Sequence, residues 1–130
     1  MPGLSLWLSG DLGAGKTTLT RGLLRELGYA GRVKSPTFTL LETYALSGFN
    51  LCHFDLYRFH DADEWEDAGF RDYFSADNVC LVEWPERAEA ALPAPDLRVW
   101  LAFAGDGRVA RIEGLTEPGR RCVERLSLSS

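Results

Sequence analysis

An α/β fold, with a mixed central sheet flanked by helices in three layers, is what this sequence predicts, and three observations carry the prediction. A short apolar-rich run, Leu4-Ser5-Leu6-Trp7-Leu8-Ser9, leads directly into a glycine-rich segment and then into a stretch with helical periodicity. Further strand-like runs recur along the chain, separated by helical or turn-like segments. Two neighbouring runs are joined by so short a turn that they pair antiparallel, which makes the sheet mixed. The 130 residues form one domain, 1–130, large enough to bury a real core and with little room for a second.

Taken in order, Leu4–Ser9 is the first strand and Gly10-Asp11-Leu12-Gly13-Ala14-Gly15-Lys16-Thr17 the loop after it. A helix runs from Thr18 to Leu27, with apolar residues at 19, 23, 24 and 27 and Gly28 as its C-terminal stop. Residues 31–37 are loop-like and stiffened by Pro36. Phe38–Ala45 reads as a strand, Ser47–Asn50 as a turn, and Leu51–Tyr57 as the antiparallel partner. Asp61–Asp67 is a solvated helix with acids near its N-terminus. It is not a calcium loop, because Glu66 stands where glycine is required. Phe70–Phe74 forms a short helical turn, and Asn78–Glu83 is an apolar strand ending in a carboxylate. Pro85 fits the first position of a helix through about Ala91, and Leu92–Pro95 is a linker. Leu97–Ala104 and Arg108–Ile112 form a hairpin across Gly105-Asp106-Gly107, and a helix from about Glu117 to Leu126 follows.

The glycine segment fits G-x-x-x-x-G-K-[ST], the phosphate-binding loop, so the α/β sandwich is of the P-loop NTPase kind. Its glycines allow a tight turn whose successive N–H groups converge on phosphate oxygens. Lys16 places a point charge for the β- and γ-phosphates, and the Thr17 hydroxyl is the expected Mg²⁺ ligand. The helix that follows adds a dipole favouring anions. Gly10, Asp11, Leu12, Gly13, Ala14, Gly15, Lys16, Thr17 and Thr18 are therefore the candidate nucleotide-binding residues. No N-K-x-D guanine motif is present, and the residues alone do not separate ATP from GTP.

Composition restricts the remaining possibilities. Net charge is −5, so the excess of basic residues that supplies most nucleic-acid affinity is absent. A local cluster at Arg120, Arg121 and Arg125 reads as a solvated helix face. No apolar stretch approaches the ~20 residues of a membrane span and no signal peptide is visible, which makes the cytoplasm the expected compartment. Cys52, Cys80 and Cys122 are odd in number and widely spaced, so neither a disulfide framework nor a zinc site is indicated. Cys52 and Cys80 fit small core positions, and His53 and His60 read as structural or surface residues.

A Mg²⁺–triphosphate also needs a carboxylate near the metal and a group that orients the attacking water. Asp55 and Glu83 stand at the ends of apolar strands, where an α/β sheet places residues at its ligand crevice. Either is suited to the metal, and the other to the nucleophile; solubilising strand-end acids are the plain alternative. Ser35-Pro36-Thr37 has the composition of a switch loop or of an ordinary turn. Trp84 suits either stacking on a base or partner or anchoring the sheet edge.

With these residues in view, the chain resembles the bacterial TsaE (YjeE) family. Gly10–Thr18, Ser35-Pro36-Thr37-Phe38, His53-Phe54-Asp55-Leu56-Tyr57-Arg58 and Val82-Glu83-Trp84-Pro85-Glu86-Arg87 occur in that family's order and spacing, from about Leu4 to Leu101. The resemblance implies ATP and Mg²⁺ binding, with weak hydrolysis that depends on a complex with TsaB and TsaD. It also implies a role in forming threonylcarbamoyl-adenosine beside the tRNA anticodon, TsaD transferring the group and the ATPase resetting the complex. The tRNA would be reached through the complex rather than bound tightly. By position, the resemblance assigns Lys16 and Thr17 to phosphate and Mg²⁺. It makes Glu83 the metal-facing acid, Asp55 a second essential acid, Thr37 the switch-like threonine and Trp84 a tryptophan lining the site. Family members usually carry a further helix before the glycine-loop strand, near the adenine side of the nucleotide; either the chain start lies downstream of the true one, which is the expectation, or base recognition is weakened. Two other readings stay open: a small-molecule kinase, for which no insertion looks long enough to be a lid, and a non-catalytic module whose assembly ATP gates.

Overall fold

The computed structural model describes residues 3–10, 20–22, 24–25, 28–29, 31, 41–46, 48–57, 59, 61–75, 77–104 and 107–129, with side chains left aside at 102–110 and 125–129. Six strands form one sheet among them: β1 (Ser5–Gly10), β2 (Leu41–Leu46), β3 (Phe49–Asp55), β4 (Asn78–Glu83), β5 (Leu97–Ala104) and β6 (Gly107–Gly114). Their order across the sheet is β2-β3-β4-β1-β5-β6. The four inner strands run parallel, while β2 on β3 and β6 on β5 are antiparallel edges. The near-continuous apolar run of β4 is what a parallel strand covered on both faces requires, and all of Val79–Glu83 is buried.

Period-2 alternation sorts the side chains onto two faces, each with its own core. On one face Leu6, Leu8, Leu81, Val99 and Leu101 pack together. Beside them Leu24, from the helical residues 20–22 and 24–25, packs with Tyr44, Leu51 and Val79. The other face carries Trp7, Cys52, Phe54, Cys80 and Val82, covered by Phe59, Trp65, Ala88 and Leu92. Helices or turns on both faces of one sheet give the three layers. Trp65 belongs to helix α1 (Ala62–Ala68), and its ring lies 5.4 Å from that of Phe54. Burying a tryptophan removes ~150–250 Å² from water, which stabilises by roughly 4–6 kcal/mol before entropy is counted.

Local chemistry sets the ends of α1. The Asp61 carboxylate accepts from the Glu64 N–H at 3.2 Å as N-cap, and Gly69, in the left-handed region, closes the C-terminus. A 3₁₀ turn, Phe70–Tyr73, follows where a short helical turn is expected. Helix α2 (Glu117–Ser129) pairs its exposed Arg120 and Arg121 with Glu117 at 3.4 and 3.6 Å, a solvated face of small energetic weight. Cys52 and Cys80 are register partners on β3 and β4 and are buried core residues. A hydrogen bond with Cys52, and then burial, push the Cys80 thiol far above its ordinary range. No helix among the described residues is long and apolar enough to cross a membrane.

Several boundaries differ from expectation. β3 stops at Asp55 rather than Tyr57, because the Asp55 carboxylate accepts the Tyr57 N–H at 3.0 Å and turns the chain. The expected helix from Pro85 to Ala91 is a single 3₁₀ turn, Pro85–Arg87, followed by further turns. Ala88 leaves helical geometry with φ −143°, and both Ala88 and Leu92 are drawn into the core. β6 begins at Gly107 and reaches Gly114, and α2 continues to Ser129. The strand expected from Phe38 is observed as Leu41–Leu46, residues 38–40 lying outside the described residues.

Candidate functional site

β1, β3 and β4 all point their C-terminal ends toward one edge of the sheet, where open α/β folds bind ligands. Glu83, the last residue of β4, is in register with Leu8 of β1 on one side and with Asp55 of β3 on the other. Gly10 lies two residues beyond Leu8 and ends β1. The two sequence-selected acids thus stand on adjacent strands, and one of them flanks the strand that leads into the phosphate loop. Parallel neighbours are ~4.8 Å apart, so the carboxylates share a small volume on one face of the sheet.

Gly10 is required for a reason beyond loop flexibility. Its φ is +150°, and a Cβ built there would meet the Leu101 carbonyl oxygen at 2.3 Å. Close approach of β1 to β5 at this point therefore depends on the absent side chain. Asp11, Leu12, Gly13, Ala14, Gly15, Lys16, Thr17 and Thr18 lie outside the described residues, as do Ser35–Phe38 with Thr37, Arg58 and His60.

Glu83 is buried, and its Oε2 lies 2.5 Å from Nε2 of His53. His53 precedes Asp55 by two residues on β3 and so projects from the same face; its register partners are Leu81 on β4 and Glu42 on β2. Sequence reasoning missed this contact. The H-x-D spacing on a strand-like run places the two residues on one face, but only the strand order puts Glu83 beside them.

The remaining carboxylate oxygen, Glu83 Oε1, has no hydrogen-bond partner among the described residues. Asp55 is held by its turn, and the Leu56 N–H continues the pairing to the Glu83 carbonyl at 3.1 Å. Hard carboxylate oxygens of this kind suit Mg²⁺, which takes one or two protein carboxylates and leaves the rest of its shell to water and phosphate. The donor set fits that ion, with Thr17 the further expected ligand.

Trp84 turns the chain out of β4. It is the one non-glycine among the described residues with positive φ, at φ 57° and ψ 49°, in the left-handed region. That conformation costs a bulky L-residue about 1–3 kcal/mol and tends to occur where a site demands it. Pro85 then starts the 3₁₀ turn. The half-buried Trp84 ring packs on the core and lies 5.0 Å from Tyr57, with the Arg87 guanidinium over both rings at 6.0 and 5.6 Å. The tryptophan is therefore an anchor at the sheet edge, beside the acids.

The profile of a protein family described as threonylcarbamoyl adenosine biosynthesis protein TsaE matches residues 1–111. The chain is 45% identical over 124 residues to the tRNA threonylcarbamoyladenosine biosynthesis protein TsaE of Haemophilus influenzae, covering 95% of this chain and 78% of that protein. It is 47% identical over 105 residues to the protein of the same name from Bacillus subtilis, covering 81% of this chain and 65% of that one. The fold is similar to the crystal structure of Bacillus subtilis YdiB, with a TM-score of 0.82 and 36% identity over 98% of this chain and 79% of the other.

Proposed function

Because this chain belongs to the TsaE family of tRNA threonylcarbamoyladenosine biosynthesis proteins, we propose that it acts there as a P-loop ATPase. In this reading it binds ATP with Mg²⁺ on the Gly10–Thr17 loop and hydrolyses it slowly alone. Turnover resets a TsaB–TsaD complex that forms the threonylcarbamoyl group on adenosine beside the tRNA anticodon. The observation that carries the reading is the placement of Glu83 and Asp55 at register-matched strand ends, beside the strand that leads into the loop.

Lys16 and the loop amides bind and neutralise the phosphates. Thr17 and the second oxygen of Glu83 would hold the metal. Asp55, fixed by its own turn, orients the attacking water and accepts its proton. When bound, Mg²⁺ supplies charge neutralisation to the phosphate oxygens. Trp84 lines the site with its ring locked by Tyr57 and Arg87. Thr37 is the residue through which the partner proteins switch hydrolysis on, which accounts for slow hydrolysis in isolation. With a net charge of −5, the chain reaches tRNA through TsaB and TsaD in the cytoplasm.

Phosphate release, measured for the chain alone and with TsaB, TsaD and tRNA, tests this proposal. A slow basal rate stimulated several-fold by the partners is expected. A rate indifferent to them, or phosphorylation of a small metabolite instead, contradicts it.

A further inference from the structure

We infer that His53 is a positioning residue for Glu83: its Nε2–H holds one carboxylate oxygen so that the other faces the metal position. The inference rests on the preceding assignment of Glu83 to Mg²⁺ and adds to it a residue for which neither composition nor spacing suggested a role.

His53 is fully buried in β3, and among the described residues its one hydrogen bond is the 2.5 Å contact from Nε2 to Glu83 Oε2. Its other nitrogen, Nδ1, is buried and has no hydrogen-bond partner among the described residues. A buried polar atom left unpaired costs about 1–3 kcal/mol. The same strand face carries Leu51 on β3 and Leu81 on β4, so an aliphatic residue at position 53 would fit the local pattern without that cost. Stability alone therefore does not account for the imidazole; its hold on Glu83 does.

The proposed role sets the direction of the bond: a carboxylate that ligates a metal only accepts, so Nε2 carries the proton and donates. Glutamate is long, and freezing its rotamers costs up to ~2 kcal/mol. With Oε2 tied to a ring locked in the sheet, that cost is met during folding rather than on metal binding. Oε1, free of partners among the described residues, is left for the ligand. Hydrogen-bond partners of metal-ligating groups typically contribute about 10–100-fold to metal affinity or activity.

Three variants separate this role from simple core packing. His53→Gln places an amide donor near the position of Nε2, His53→Asn is too short to reach Oε2, and His53→Leu packs without any donor. ATP affinity is measured by calorimetry in EDTA and across a Mg²⁺ titration. His53→Leu and His53→Asn should weaken the Mg²⁺ response by about 10–100-fold and change the EDTA affinity little, while His53→Gln should recover most of the response. Should His53→Leu not fold, the Asn and Gln pair decides: equal Mg²⁺ responses overturn the inference. A second readout needs neither nucleotide nor metal. Long-range ¹H–¹⁵N spectra report the tautomer of each of the two histidines in the chain. His53 should be the Nε2–H form, and Glu83→Gln should perturb its signal. An Nδ1–H tautomer, or a His53 signal indifferent to Glu83→Gln, overturns the inference. A Glu83→Gln protein with an unchanged Mg²⁺ response would overturn the metal assignment of Glu83 and this inference with it. An impaired Glu83→Gln beside an unaffected His53→Asn would overturn the positioning role alone.

Discussion

Gly10→Ala should damage the fold itself, and the size of the effect follows from two separable costs. The added Cβ would sit 2.3 Å from the Leu101 carbonyl oxygen and 3.1 Å from the Leu101 carbonyl carbon, both backbone atoms that cannot rotate away. Forcing an extra carbon into a packed site costs about 1–3 kcal/mol, and an L-side chain at positive φ costs a further 1–2 kcal/mol. Together they amount to about 2–5 kcal/mol. For a chain of 130 residues this corresponds to a fall in Tm of roughly 10 °C. Two other glycines calibrate the result. Gly28 has φ +94° and, among the described residues, nothing within 4 Å of a Cβ built there, so Gly28→Ala should carry chiefly the backbone strain, about 1 kcal/mol. Gly22 is helical, and among the described residues nothing lies within 4 Å of a Cβ built there, so Gly22→Ala should stabilise by about 0.5–1 kcal/mol. Urea unfolding followed by circular dichroism gives all three values. A Gly10→Ala protein within 1 kcal/mol of the parent, or no more perturbed than Gly28→Ala, would refute the reasoning that β5 approaches β1 through the missing side chain.

Trp65→Ala removes the largest fully buried side chain and should cost about 3–5 kcal/mol in urea unfolding. Asp61→Ala deletes the N-cap bond of α1 and should cost about 1 kcal/mol, whereas Asp61→Asn should cost much less. Maleimide labelling of the native protein should modify the half-exposed Cys122 first, with Cys52 and Cys80 reacting only after denaturation. Early labelling of either buried thiol would contradict their place in the core.

What the sequence made legible follows from how local each signal is. β4 was readable to the residue because Asn78–Glu83 is a continuous apolar run bounded by polar residues. A helix over Asp61–Asp67 was readable from the acids gathered near its N-terminus, while the Asp61 cap that sets its start emerged only in the structure. The helix expected after Pro85 failed for the opposite reason. Its composition favours helix, but the left-handed Trp84 together with the burial of Ala88 and Leu92 dictates the path instead. Asp55 and Glu83 were identifiable singly as strand-end acids. Their proximity depended on β3 and β4 being neighbours, and the His53 contact depended on register as well. Neither is encoded within any one segment.

The most direct measurement is a crystal structure grown with Mg²⁺ and a non-hydrolysable ATP analogue. The account predicts a triphosphate wrapped by Gly10–Thr17, with the metal between it and the second oxygen of Glu83. A triphosphate bound elsewhere, or a metal remote from the end of β4, would contradict it.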